Sequence, residues 1–143
     1  MSYEDHLNRH LEAKEAARQK QEAEQTERQR RRDESEAEAA KIVEEIIRPE
    51  MVKLAEVIKR TVGLDMPVIN PDRSNGFPGI QLGKPHSAPL VEFLSYPESG
   101  DFVVKFNESS HYGKELGKHK ISNLDRVAVE KLLQSFLRQA FPA

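Results

Sequence analysis

Residues 12–41 contain no Val, Ile, Leu, Met, Phe, Tyr or Trp, and this run constrains the chain more than any other feature. Seventeen of these 30 residues are charged, and seven alanines are the only apolar side chains. A segment of this kind has nothing with which to build a core. It also lacks Gly and Pro, the first proline of the chain being Pro49, and is rich in Ala, Glu, Gln, Lys and Arg, the strongest helix formers. Opposite charges recur four apart, as in Glu24 with Arg28 and Glu27 with Arg31, each pair adding a few tenths of a kcal/mol to an exposed helix. The expectation for residues 1–41 is a charged helical arm, solvated and partly frayed or disordered, because no packing holds its middle. If continuous to Arg48 it would be roughly 70 Å long.

The remaining residues, 42–143, have an ordinary globular composition, and the whole-chain figure of 37% hydrophobic averages over the two parts. All the glycines and prolines lie in this second part. The net charge of −2 belongs to the arm, since basic and acidic residues balance beyond it. Such a charge excludes a strongly basic protein that coats nucleic acid by charge alone. The absence of cysteine excludes disulfides, thiolate metal sites and cysteine nucleophiles. With no apolar secretory or membrane-spanning run, a soluble, cytoplasmic protein without membrane attachment is expected.

Hydrophobic periodicity then gives the fold. Met51, Leu54, Ala55, Ile58 and Val62 follow helical spacing, with Gly63 placed to end a helix over 42–63. Pro49 either kinks this helix or begins a new one. Residues 64–89 carry five prolines and read as irregular, with short strands at Val68-Ile69 and from Gly79 to Leu82. Residues 90–121 read as strands. Phe102, Val104 and Phe106 alternate with polar or smaller neighbours, so the Phe set should face the core. A helix over 123–141, capped by Ser122 or Asn123, presents a broad apolar stripe including Leu124, Val129, Leu133 and Phe136. The predicted fold class is α+β: a long charged N-terminal helix, then a two-layer domain of antiparallel sheet, about three to five strands, flanked by two helices.

Candidate chemistry is sparse. His111, Glu115 and His119 are spaced like ligands or an acid–base pair of a metal-dependent hydrolase. On one strand, however, the outer two would lie roughly 26 Å apart, and Gly113 and Gly117 weaken a helix. His6 and His10 suit a shared metal on a helix, but two ligands do not complete a site. Ser109, Ser110 and His111 lack an orienting acid and an oxyanion hole, and the Asn75-Gly76-Phe77-Pro78-Gly79 stretch lacks a phosphate-loop lysine. No coherent catalytic motif emerges, and no cofactor or resident metal is expected.

Three functions are weighed. The first is a non-enzymatic interaction or oligomerisation module, for a protein partner or a second copy. Its candidate surfaces are Leu94, Tyr96 and Val103 on an uncovered sheet face, and the Tyr3, Leu7, Leu11 stripe at i, i+4, i+8 on the arm. The second is a nucleic-acid-binding accessory protein using Arg28, Arg30, Arg31 and Arg32. Against it, acidic residues flank the cluster and no aromatic is interleaved for base stacking. The third is the hydrolase built on His111 and Glu115.

Overall fold

A computed structural model describes residues 2–109 and 112–143 of the chain. The order is α1 (Tyr3–Ile42), a π-helical turn (Val43–Ile47), α2 (Arg48–Val62), β1 (Val68–Ile69), β2 (Gly79–Leu82), β3 (Leu90–Tyr96), β4 (Asp101–Ser109), β5 (Tyr112–Lys120), a 3₁₀ turn (Ile121–Asn123) and α3 (Arg126–Ala140). The architecture is α+β in two layers, a five-stranded antiparallel sheet with helices on one face. By compactness the chain divides into Met1–Asp33 and Glu34–Ala143.

The first unit is helical, and every described side chain in it is exposed except the half-buried Glu27 and Arg32. Ion pairs within the helix support it: Arg18 joins Glu15 and Glu22, and Arg30 and Arg31 both reach Glu27. The second unit begins before the large apolar residues do, because Ala39 is fully buried. An alanine there lets the helix approach the core closely, and Ile42, Val43 and Ile47 follow it inward.

Pro49 is accommodated within one helical run from Tyr3 to Val62. In a regular α-helix its ring would press on the carbonyl of Glu45, four residues back. The preceding turn widens instead, and the Arg48 N–H donates to the Val43 carbonyl, five residues back. Gly63, at φ +79°, ends α2 in the left-handed conformation, its N–H donating to Ile58 and Lys59 carbonyls at 3.2 and 3.0 Å.

The sheet is a meander in strand order β1-β2-β3-β4-β5. Ile80, Leu82, Val91, Phe93, Phe102, Val104 and Phe106 line its helix-facing side, and all are fully buried. α2 packs near β1 and β2 and α3 near β4, where the Phe106 and Phe136 rings meet edge to face at 5.4 Å. The last helix starts later than sequence periodicity suggests. Asp125, not Ser122 or Asn123, is its N-cap and accepts the Ala128 N–H at 2.8 Å. Leu124 is buried ahead of the helix instead of riding on it. Among the described residues no helix is long and apolar enough to cross a membrane.

Candidate functional site

The register of β3 and β4 places Leu94 opposite Val103, Glu92 opposite Lys105, and Tyr96 opposite Asp101. Directly opposed residues share a face, so these six lie on the sheet side away from the helices. Gly79 and Gln81 of β2, opposite Leu94 and Glu92, belong to the same side. Leu90, Leu94 and Val103 are buried there, outside the main core.

Leu94 is only 9% exposed because the chain covers it with its own loop. A Cβ at Gly79 would lie 3.3 Å from Leu94, Pro71 and Arg73, so the proline-rich segment after β1 rests over this corner. Arg73 fastens it. Its guanidinium donates to the Ser95 carbonyl at 2.8 Å and to the Pro78 carbonyl at 3.1 Å, and stacks 5.0 Å from the centre of the Tyr96 ring. Asn75 closes the loop tip by accepting the Phe77 N–H. The face expected to lie open in water is therefore partly roofed, and it offers a partner less apolar area than its sequence implies.

Glu92 sits in the middle of this face, half-buried. Burial raises its carboxyl above the ordinary value of 4.5, opposed by the nearby basic side chains Lys105, Arg73 and His86. His86 holds a left-handed backbone (φ +58°) in the β2–β3 loop, a conformation His adopts more readily than most residues. This mixed-charge cluster and the Arg73 staple were not singled out by sequence reading. An arginine inside a Pro/Gly loop is a signal, but its targets are carbonyls, which no side-chain pattern reveals.

The remaining candidates are dispersed. Tyr3, Leu7 and Leu11 stay 94%, 58% and 61% exposed on α1. His6 and His10 are exposed beside them. Of the arginine cluster, Arg28, Arg30 and Arg31 are exposed and Arg32 is half-buried, while Arg30 and Arg31 are engaged by Glu27. His111 and Ser110 lie outside the described residues. Glu115 pairs with Lys105 and His119 with Phe102 across a bulge in β5, which puts Glu115 on the far sheet face and His119 on the helix-facing one. Those two side chains cannot grip one ion. His119 instead lies against Gly117, where a Cβ would come 2.9 Å from its Nε2. Among the described residues no three His, Asp or Glu side chains gather as a metal site.

A further feature belongs to the folded unit: a groove of about 270 Å³ between α2 and the segment entering β1. Val52, Ala55, Met66 and Val68 form its apolar lining, and Glu56, Lys59 and Asp65 its charged lining. No family, curated protein or solved structure matches this chain.

Proposed function

We propose that the protein is a non-enzymatic interaction module whose N-terminal helix carries a docking face. One observation supports this reading above the others: Tyr3, Leu7 and Leu11 form an apolar stripe, 58–94% exposed, at the start of a helix whose residues 12–41 carry no large apolar side chain. Isolated exposed apolar residues are common on surfaces. Three aligned on successive turns form the anchor pattern by which an amphipathic helix enters a partner's groove. The sheet face is the weaker candidate, because Leu94 and Val103 are each only 9% exposed and leave little area to gain.

The test compares partners recovered by full-length protein and by Leu7→Glu/Leu11→Glu. Both leucines lie outside the core, and Glu is a strong helix former, so the variant retains its fold by circular dichroism. Loss of specific partners in the variant is expected. An unchanged set of partners would sink the reading.

A further inference from the structure

We infer that the outer edge of β5 takes up an extended acidic segment of another protein as a sixth strand. This edge belongs to the folded unit and is independent of the stripe on α1. β5 ends the sheet on one side, and its one extensive neighbour among the described residues is β4. The opposite edge, β1, offers only Val68 and Ile69, whereas β5 runs over nine residues. An edge strand of that length presents a row of backbone donors and acceptors that a further strand can engage.

The register shows which groups are on offer. The Ile121 N–H donates to the Gly100 carbonyl at 2.9 Å, and the pairing continues with Lys120 opposite Asp101, His119 opposite Phe102 and Lys118 opposite Val103. In an antiparallel pair, alternate residues turn both N–H and C=O toward the neighbour, and those between turn them away. His119 therefore bonds to β4, and Lys118 and Lys120 direct their backbone groups outward. Their exposed side chains lie on the sheet face away from the helices.

Charge selects the occupant. Beyond the bulge, residues 117–120 are Gly-Lys-His-Lys, two lysines with no carboxylate among them. On the same face, Asp101 stands one strand further in, roughly 10 Å from an added strand, against roughly 5 Å for β5 itself. Glu115 precedes the bulge, roughly 10 Å along the strand from Lys118. The lysines thus dominate the field an added strand meets. They also repel the same edge of a second copy, the usual way in which edge strands avoid their own kind. A partner strand running antiparallel, as all strands here do, sets two alternate side chains beside Lys118 and Lys120, where Asp or Glu belongs. The residue between them faces the helix side next to half-buried His119 and Leu116, which suits a β-branched apolar side chain. The segment recognised is acidic–apolar–acidic.

The test titrates the isotope-labelled full-length chain with a blocked synthetic peptide, Glu-Val-Glu-Val-Glu, and follows the backbone amides by NMR. Binding is expected with a Kd of roughly 10 µM to 1 mM, the weak range suited to so few backbone bonds. The largest shifts and slowed exchange should fall at the Lys118 and Lys120 amides. Lys118→Glu/Lys120→Glu changes only exposed side chains and should weaken binding at least about tenfold. N-methylation of the peptide's glutamates removes the N–H groups that reach β5 and should abolish binding, whereas N-methylation of its valines blocks only the outer edge and should leave binding intact. No shifts at β5 with millimolar peptide, or equal binding of Lys-Val-Lys-Val-Lys, would overturn the inference. So would equal binding of the two methylated peptides, which would reduce the contact to charge alone.

Discussion

Glu92 shows how a single carboxylate can register a partly covered sheet face. Burial withdraws it from water and favours its neutral form, while Lys105, Arg73 and His86 favour the charged one; burial is the larger effect. A carboxyl raised in the folded state binds its proton more tightly there than in the unfolded chain. Its contribution to stability is therefore best below the unfolded value of about 4.5 and declines as pH rises through the folded value. Glu92→Gln removes this dependence. Urea denaturation at pH 7 should find the variant more stable than wild type, with the advantage shrinking as the solution is brought below pH 4.5. A variant less stable at pH 7, with the deficit shrinking as the solution is brought below pH 4.5, would mean that the neighbouring positive charges outweigh burial at this site. Sequence could place Glu92 on the outer face by alternation, but only the position of Arg73 and its loop shows why a residue there is half-buried.

At the scale of elements, local pattern was informative wherever one period governed a segment. The alternation at Phe102, Val104 and Phe106 gives the inward face of β4, and the Met51–Ile58 spacing gives that of α2, because each depends only on which side meets the core. Legibility ended where the deciding contact was distant or a turn broke the period. The bulge beside Leu116 shifts Glu115 and His119 to opposite faces, an offset that alternation cannot anticipate. Arg73 seeks the Ser95 carbonyl, 22 residues away, a pairing with no local signature. The start of α3 failed for another reason: Ser122, Asn123 and Asp125 are all competent caps, and the 3₁₀ turn decides among them by using 121–123 first. Asp125→Ala should cost about 1 kcal/mol of unfolding free energy, the usual value of a lost N-cap. Ser122→Ala and Asn123→Ala should change it far less. Equal losses at all three positions in chemical denaturation would count against Asp125 as the working cap.

For the whole molecule, the question is what holds each stretch of helix in shape. The core cluster begins at Ala39 and draws on every later helix and on the sheet. Residues before it keep their helix through backbone propensity and exposed charge pairs, each worth a few tenths of a kcal/mol. The pairs Arg18 with Glu15 and Arg30 with Glu27 are short, yet their side chains are about half exposed, so salt and side-chain entropy keep their value low. Helical geometry along α1 is thus continuous while its stability is not. Local opening should grade along it, from nearly free near Tyr3 to the global unfolding cost near Ala39 and Ile42. Amide hydrogen exchange at neutral pH reads this directly. Amides of residues 5–30 should exchange at rates set by helix fraying, and those of residues 42–58 and of β3 and β4 should share the slow rate of global unfolding. Raising the salt should speed exchange in the first group by weakening its ion pairs and leave the second nearly unchanged. Slow, salt-insensitive exchange at residues 5–30 in dilute solution would mean that tertiary contact holds the arm.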